Sequence, residues 1–260
     1  MRAAVIDMDG VLWEGDRPMP GLVEFFEALR RRQMRLVLAT NNASRTPEQY
    51  VAKLARMGVT VTIDEIFTSA MATALFLHER SPTGARVFAI GEDGLRRALT
   101  ETGFTLGDLY QNGAEYVVVG MDHGLSWDSL ATATINIRAG AMFVGTNPDL
   151  TLPTEHGITH GNGAILAALQ AATGIAPRVI GKPEPTMYQQ ALHRLQSDPA
   201  LTVAIGDRLE TDILGAVRAG LPSLLVLSGV SQPSDLEAVT YRPTWVMKDI
   251  REVTDCLNTA

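Results

Sequence analysis

Ala-Ala-Val-Ile-Asp-Met-Asp-Gly-Val-Leu-Trp, at residues 3–13, is the stretch that decides the fold class. Its short aliphatic run is typical of a buried strand, and the polar residues directly after it stand where such a strand ends. Outward from this stretch, short aliphatic runs alternate with amphipathic stretches of helical length almost to the C-terminus. This alternation predicts an α/β fold, in which crossover helices connect the strands of a parallel sheet.

The predicted elements run along the whole chain. Strands are predicted over residues 3–7, 35–40, 86–90, 116–120, 142–145, 202–206, 223–227 and 244–247. Helices are predicted over residues 21–32, 47–57, 64–78, 94–102, 127–138, 163–173, 185–195 and 209–219. Pro47 and Pro185 stand where a first helical turn tolerates proline, and Gly58 and Gly174 stand where a helix ends.

Two turn-rich stretches punctuate the middle of the chain, at residues 81–84 (Ser-Pro-Thr-Gly) and 174–177 (Gly-Ile-Ala-Pro). If both are hinges, the segment between them is a domain inserted into an outer one, whose halves are the two ends of the chain. The alternative is one continuous large sheet. Spacing alone leaves both open.

Composition and charge exclude several classes of protein. The 260 residues carry a formal net charge of −7, from 22 Lys and Arg against 29 Asp and Glu. A field of that sign repels a polyanion, so no nucleic-acid partner is expected. The apolar run at the N-terminus is too short for a signal peptide, no stretch is apolar enough to span a membrane, and the single cysteine, Cys256, cannot form an internal disulfide. We therefore expect a soluble, cytoplasmic protein with no membrane partner.

Polar clusters follow three of the predicted strands, at residues 7–9, 40–42 and 206–212. A fourth cluster surrounds Lys182, just before a predicted helix. The carboxyl ends of the strands are where open α/β sheets bind their ligands. The sequence therefore predicts one site to which all four clusters contribute.

The acidic residues of these clusters suit a metal ion. Asp7 and Asp9 can converge on one point, and Asp207 and Asp212 would add further negative charge. Carboxylates held close together repel one another unless a cation is present, and Mg²⁺ prefers such oxygen ligands. Taken singly, Asp9 could belong to a turn and Asp207 could cap a helix. Their joint recurrence at strand ends favours the metal site.

The other two clusters suit an anion. The point charge of Lys182, positioned by the two prolines that follow it at 183 and 185, fits a phosphate or a carboxylate ligand. Thr40 supplies a hydroxyl, and the amides around Asn41 and Asn42 can point at an anion at a strand-to-helix junction. Each of these signals is weak alone, because most lysines are solvated and Asn-Asn is also good helix-entry chemistry.

Two histidines carry a weaker signal. His156 and His160 are four residues apart, but the residues between them lack the glutamate of a zinc-protease helix, and Gly157 opposes a helix. A loop is the expected structure there.

In this order, the four clusters resemble the four motifs of the haloacid dehalogenase-like (HAD) hydrolase superfamily. These motifs are Asp-x-Asp-Gly-Val at residues 7–11, a threonine at 40, a distant lysine at 182 and Gly-Asp-x-x-x-Thr-Asp at 206–212. The chain resembles more narrowly the NagD-like, or para-nitrophenyl phosphatase, subclass. That resemblance is carried by the residues at 9–13, 40–44, 146–149 (Thr-Asn-Pro-Asp), 181–185 (Gly-Lys-Pro-x-Pro) and 206–213.

The resemblance implies a domain organisation. It predicts a Rossmann-like, doubly wound parallel sheet core at residues 1–80 and 178–260, with an α/β cap domain inserted at residues 81–177. Relatives often pair through their caps, so the resemblance also implies a homodimer formed through the cap.

The resemblance also implies residue roles. Asp7 would be the nucleophile and Asp9 the general acid/base. Mg²⁺ would be bound by the side chains of Asp7 and Asp207 and by the backbone carbonyl of Asp9, with Asp212 as an outer or water-mediated partner.

Phosphate binding falls to a second set of residues. Lys182 would offset the charge of the phosphoryl group, and Thr40, Asn41 and Asn42 would hold its oxygens.

The expected function is therefore Mg²⁺-dependent hydrolysis of a small phosphomonoester metabolite. A phosphomutase of the same superfamily and a catalytically idle phosphometabolite-binding protein remain as alternatives. A receiver-type signalling module would be about half this length. Sugar phosphates, phosphoglycolate, nucleotides and pyridoxal phosphate all remain open as substrates.

Overall fold

The computed structural model describes residues 1–154 and 157–259. Its strands are β1 (Ala3–Ile6), β2 (Trp13–Glu14), β3 (Arg17–Pro18), β4 (Arg35–Thr40), β5 (Ile66–Thr68), β6 (Arg86–Ile90), β7 (Thr105–Leu106), β8 (Tyr116–Val119), β9 (Met142–Gly145), β10 (Thr151–Thr154), β11 (Gly157–His160), β12 (Arg178–Val179), β13 (Thr202–Gly206), β14 (Ser223–Val226) and β15 (Trp245–Met247). Its α-helices are α1 (Leu22–Arg31), α2 (Pro47–Arg56), α3 (Ser69–His78), α4 (Asp93–Glu101), α5 (Trp127–Arg138), α6 (Asn162–Thr173), α7 (Pro185–Leu195), α8 (Leu214–Arg218), α9 (Asp235–Ala238) and α10 (Ile250–Thr259). Short 3₁₀ helices span Ile63–Glu65 and Pro199–Leu201, and a π-helical turn spans Leu209–Ile213.

The chain divides into two compact units. The first comprises Met1–Thr40, Pro47–Phe67 and Lys182–Ala260, and the second comprises Asn41–Thr46 and Thr68–Gly181. The second unit is thus inserted within the sequence of the first. The predicted boundaries of the inserted domain, residues 81 and 177, both fall inside the second unit and stay a prediction.

The first unit is built on a six-stranded sheet in the order β15-β14-β13-β1-β4-β5. Strand β1 pairs in parallel with β13 on one side and β4 on the other. It is buried along its whole length, which explains why its sequence is a continuous apolar run without alternation. This central position places the residues after Ile6 at the carboxyl edge of the sheet.

The core of the first unit lies between this sheet and its helices. Helix α1 buries Leu22, Phe25, Phe26 and Leu29, whose spacing of three and four residues forms one apolar stripe. Trp13 is also fully buried in this core.

The second unit contains a parallel five-stranded sheet in the order β12-β9-β8-β6-β7. Helices α5 and α6 contribute buried residues such as Ile137 and Leu166 to its core, which also contains Phe88 and Val117 of the sheet. The hairpin β10–β11 is antiparallel. The fold class predicted from the sequence, a Rossmann-like core with an inserted α/β unit, is therefore confirmed.

Most predicted elements are present, and one is wrong in part. The helix predicted over residues 64–78 is instead the 3₁₀ helix Ile63–Glu65, strand β5 and helix α3. The β-branched and aromatic run Ile66-Phe67-Thr68 is fully buried at the edge of the sheet beside β4, so sheet pairing overrides the helical pattern. Several short strands and helices α9 and α10 were not predicted.

The structure also bears on two other predictions, the absence of a membrane span and the loop around the two histidines. Within the residues that the structure describes, no helix is long and apolar enough to cross a membrane. The loop predicted around the two histidines is wrong at His160, which belongs to strand β11, whereas His156 lies outside the described residues.

Candidate active site

Asp7 stands directly after the central strand of the first unit. Its backbone N–H donates to the carbonyl of Ile205 at 2.8 Å, which extends the β1–β13 pairing by one residue. The chain then turns at Gly10, whose φ of +82° favours glycine. A Cβ atom at Gly10 would lie 2.4 Å from Oδ2 of Asp207, so this turn also needs glycine for space.

Asp207 follows strand β13, the neighbour of β1. Its Oδ2 accepts a hydrogen bond from the backbone N–H of Val230 at 2.7 Å. A Cβ at Gly229 would lie only 2.0 Å from the same oxygen. Gly229 and Val230 are not among the predicted site residues, although Ser228-Gly229 directly after a predicted strand is a turn signal.

Asp212 is brought back toward Asp207 by the π-helical turn. Its Oδ2 accepts from the backbone N–H of Arg208 at 3.1 Å, and its carbonyl accepts from the hydroxyl of Tyr188 at 2.9 Å. A Cβ at Gly206 would lie 2.2 Å from Cβ of Asp212, so this approach also depends on a glycine.

The three carboxylates form one acidic cluster. Asp7, Asp207 and Asp212 each offer an oxygen atom, and these atoms lie within 4.8 Å of one another. Asp207 and Asp212 are 3% and 2% exposed, so water screens their charges poorly. The predicted role of Asp212, an outer or water-mediated partner of the metal ion, stays a prediction.

Lys182 joins the cluster from the loop before helix α7. Its ammonium donates to Oδ1 of Asp7, to Oδ1 of Asp212 at 2.6 Å and to the carbonyl of Ala39 at 3.1 Å. The side chain is 4% exposed. These partners use the three donors of an ammonium group.

Burial and mutual repulsion perturb the ionisation of the cluster. Burial raises the pKa of Asp7 well above its usual value and Asp212 and Asp207 add to this, while Lys182 opposes it. Burial, with help from Asp212, raises the pKa of Asp207 to about 6. The pKa of Lys182 is raised although burial alone would lower it, because Asp212 and Asp7 favour its charged form.

This donor set fits a divalent metal ion. Three carboxylates beside one ammonium leave a net negative charge in a buried position. Burial raises the pKa of Asp7 and of Asp207, and the neighbouring carboxylates add to both shifts. Hard divalent cations prefer oxygen ligands of this kind.

Asp9 has a different environment. It is exposed, and its Oδ1 accepts a hydrogen bond from the indole Nε1 of Trp13 at 2.7 Å. Thr40 is the last residue of β4 and is 3% exposed.

Asn41 and Asn42 belong to the second unit. The side-chain amide of Asn41 donates to Oδ2 of Asp149 at 3.3 Å, and the backbone carbonyl of Asn41 accepts from the side-chain amide of Asn147 at 2.8 Å. Oδ1 of Asn42 accepts from the hydroxyl and from the backbone N–H of Ser44. The predicted role of both residues at a phosphoryl group stays a prediction.

The sequence and the fold of this chain match those of known phosphatases. Residues 4–105 match the family model described as haloacid dehalogenase-like hydrolase, and residues 179–253 match a HAD-hydrolase-like model. An acid sugar phosphatase of Staphylococcus saprophyticus is 38% identical over 97% of this chain and 96% of its own. Among solved structures, the 4-nitrophenylphosphatase of Thermotoga maritima has a TM-score of 0.93 at 33% identity and covers 99% of this chain and 97% of its own. NagD from E. coli K-12 has a TM-score of 0.89 at 35% identity, with 97% and 98% covered.

A Rossmann-like sheet with aspartates gathered at its carboxyl edge, together with these full-length matches, defines a phosphatase of the hydrolase class. The chain belongs to the haloacid dehalogenase-like hydrolase family and, within it, to the NagD-like subclass. Its substrate is accordingly a small phosphorylated compound.

Proposed function

We propose that this protein hydrolyses a small sugar phosphate in a Mg²⁺-dependent reaction, through a phosphoryl group carried on Asp7. The observation that carries the proposal is the acidic cluster: carboxylate oxygens of Asp7, Asp207 and Asp212 lie within 4.8 Å of one another. The ammonium of Lys182 donates to two of these carboxylates, those of Asp7 and Asp212. A buried carboxylate beside a cation is poised to approach an anionic phosphorus centre, which a carboxylate alone would meet against repulsion.

In the first half-reaction, an oxygen of Asp7 attacks phosphorus as the bond from phosphorus to the ester oxygen breaks. The leaving oxygen takes a proton from Asp9 and departs as the alcohol. In the second half-reaction, Asp9 accepts a proton from water, whose oxygen attacks phosphorus and displaces Asp7. Inorganic phosphate is released, and both aspartates return to their starting states.

The exposure of Asp9 supports this division of roles. An acid/base group must reach both the leaving group and water, and Asp9 is exposed whereas the other site aspartates are buried or half-buried. Asp7 is held in line with the strand by its bond to Ile205, as a nucleophile should be.

The side chains of Asp7 and Asp207, with the backbone carbonyl of Asp9, would hold the Mg²⁺ ion. When bound, the ion would supply positive charge that offsets the phosphoryl oxygens. Asp212 supports this site by holding Lys182, since its Oδ1 accepts from the ammonium at 2.6 Å.

The remaining contacts to the phosphoryl group are assigned to Thr40, Asn41, Asn42 and Lys182. Lys182 offsets negative charge as phosphorus changes partners. Thr40 ends the strand next to β1, and Asn41 and Asn42 follow it directly in the chain. Their hydroxyl and amide groups are the donors that phosphoryl oxygens accept from.

A sugar phosphate is proposed as substrate because of the relatives' names. Relatives that match over nearly their full length are acid sugar phosphatases. The p-nitrophenyl phosphatases among the solved neighbours indicate that an activated aryl phosphate is a convenient assay substrate.

The test is phosphate release from a panel of sugar phosphates and other small monoesters, with Mg²⁺ and with a chelator. The native chain is compared with Asp7→Asn and with Asp255→Asn, a matched substitution at an exposed position of helix α10. We expect Mg²⁺-dependent turnover in the native chain and in Asp255→Asn, and none above background in Asp7→Asn. Equal turnover in all three would refute the assignment.

A further inference from the structure

The exposed carboxylate of Asp9 is fixed by a buried side chain. The indole Nε1 of Trp13 donates to Oδ1 of Asp9 at 2.7 Å, a short and therefore strong hydrogen bond. Trp13 itself is 0% exposed. A rigid, fully packed donor thus holds one oxygen of a carboxylate that otherwise faces solvent.

Trp13 is in turn contacted by two side chains of helix α2. Its ring stacks on Tyr50, with centroids 6.3 Å apart and an angle of 19° between the planes. The ammonium of Lys53 lies 4.3 Å from the ring centroid and donates to the carbonyl of Gly15 at 2.7 Å. Lys53 is 4% exposed, and a lysine this buried is rare in soluble proteins.

The position of Lys53 strengthens the Trp13 donor. A cation over an indole face draws electron density from the ring, which makes the N–H more positive. Gly15 lies in the turn between β2 and β3, so the same ammonium also ties that hairpin to the ring. The hydrolysis proposed above uses neither Trp13 nor Lys53.

We propose that Trp13, supported by Lys53, is the positioning residue that orients Asp9 for proton transfer to the leaving group. The inference rests on the proposed function, in which Asp9 is the general acid/base. An indole N–H can only donate, so Oδ1 is held as an acceptor and the transferable proton belongs on Oδ2. The hydrogen bond therefore decides which oxygen of Asp9 faces the leaving group.

The proton balance of the first half-reaction follows from this geometry. As the bond from phosphorus to the ester oxygen breaks, its electron pair stays on the leaving oxygen. Oδ2 of Asp9 gives that oxygen its proton, and Asp9 becomes a carboxylate still held at Oδ1 by Trp13. Misorientation by loss of the hydrogen bond slows this transfer and nothing else in the step.

Leaving groups differ in how much they need that proton. The alkoxide of a sugar is a poor leaving group without protonation, whereas p-nitrophenolate departs as a stabilised anion. Loss of the Trp13 hydrogen bond should therefore lower the rate of hydrolysis of a sugar phosphate and leave that of p-nitrophenyl phosphate nearly unchanged. The ratio kcat/KM reports steps only up to the departure of the alcohol, so hydrolysis of the phosphorylated enzyme does not enter it.

The experiment measures kcat/KM for one sugar phosphate and for p-nitrophenyl phosphate, at saturating Mg²⁺. The variants are Trp13→Phe, Asp9→Asn, the double variant, and Trp245→Phe as the matched control at a part-exposed edge strand. We expect Trp13→Phe to lose roughly 10-fold on sugar phosphate and less than about 2-fold on the aryl ester. In the Asp9→Asn background, Trp13→Phe should cost nothing further, because it acts through Asp9.

The outcomes distinguish a failure of the positioning role of Trp13 from a failure of the acid role of Asp9. If Asp9→Asn discriminates between the substrates but Trp13→Phe loses equally on both, the positioning role is wrong and the proposed function stands. If Asp9→Asn itself loses equally on both, the acid role fails and the inference fails with it. A loss for Trp13→Phe that adds in full to that of Asp9→Asn also overturns the inference.

Lys53→Met keeps the test decisive if Trp13→Phe does not fold. This change leaves the indole donor in place and removes the cation over its ring, together with the hydrogen bond from the ammonium to the carbonyl of Gly15. We expect kcat/KM for the sugar phosphate to fall roughly 3-fold and kcat/KM for p-nitrophenyl phosphate to fall less. Equal losses on the two substrates would overturn the proposal.

Discussion

Three glycines decide how closely the carboxylates of the site can approach one another. At Gly10 and Gly229 a Cβ would lie 2.4 and 2.0 Å from Oδ2 of Asp207, and at Gly206 one would lie 2.2 Å from Cβ of Asp212. Real Cβ atoms do not approach other atoms this closely. The absence of a side chain at these three glycines therefore leaves the space that Asp207 and Asp212 occupy. The acidic cluster depends on the glycines as much as on the aspartates.

The first prediction follows for Gly229→Ala. The new methyl group must displace the carboxylate of Asp207, so we expect Mg²⁺ affinity to fall by about 10-fold or more. Isothermal titration of the metal-free protein with Mg²⁺ measures this. Gly107→Ala is the control, because the nearest atom to its Cβ would be the flexible end of Gln111 at 3.3 Å. Unchanged Mg²⁺ affinity in Gly229→Ala would contradict the requirement for a glycine beside Asp207.

A second prediction at the residue scale concerns Lys182→Met. Removing the ammonium leaves Asp7 and Asp212 buried without their shared partner. Breaking a buried ion pair in this way costs about 3 kcal/mol. We expect the free energy of unfolding of the metal-free protein, from urea titration, to fall by that amount. Lys248→Met, at an exposed lysine, should leave it unchanged.

At the scale of elements, the transition from β5 to α3 shows where sequence reasoning succeeds and fails. Apolar spacing correctly identified α3, but it extended that helix through Ile66, Phe67 and Thr68, which are buried beside β4. A strand of three residues carries too little periodicity to be separated from a helical turn. Only the neighbouring strand, brought there by the rest of the fold, decides between them.

The third prediction tests this transition. The hydroxyl of Thr68 caps α3 by accepting from the backbone N–H of Met71 at 3.2 Å. Thr68→Ala should therefore lower the free energy of unfolding by about 1 kcal/mol. Thr68→Ser keeps a hydroxyl that can cap the helix, so most of the stabilisation should remain. If residues 64–78 formed one helix, alanine would instead be neutral or stabilising. Urea unfolding of the two variants distinguishes these results.

For the whole molecule, the residues of the acidic cluster could be predicted from the sequence, but the contacts that position them could not. The strand ends indicated Asp7 and Asp207, and the resemblance to a known family assigned Lys182. The approach of Asp212 depends on the π-helical turn, and the Trp13 donor to Asp9 depends on packing, so neither follows from spacing. Helix α10 could have been predicted from the spacing of its apolar residues Ile250 and Val253, which the structure buries.

The fourth prediction concerns pH and metal together. The pKa of Asp207, raised to about 6 by burial, stands above its unfolded value of about 3.9. The native state thus holds a proton that the unfolded state releases, a stabilisation present below about pH 4 and lost as pH rises through about 6. That loss amounts to about 3 kcal/mol. The raised pKa of Asp7 acts in the same direction.

Mg²⁺ should offset this loss, because it replaces the proton at the carboxylates. We therefore expect Mg²⁺ to raise the Tm more at about pH 8 than at about pH 5. Thermal unfolding with and without the ion checks this. In Asp207→Asn the difference between the two pH values should shrink. A larger Mg²⁺ effect at the lower pH would contradict the linkage.

The most direct test of the account is to trap the phosphorylated enzyme. The protein is mixed with radiolabelled sugar phosphate and Mg²⁺, quenched in acid and digested, and the labelled peptide is identified. We predict label on the peptide that contains Asp7, its release by hydroxylamine as expected for an acyl phosphate, and none in Asp7→Asn. Label on another residue, or turnover with no covalent label at any reaction time while Asp7→Asn remains active, would contradict the account.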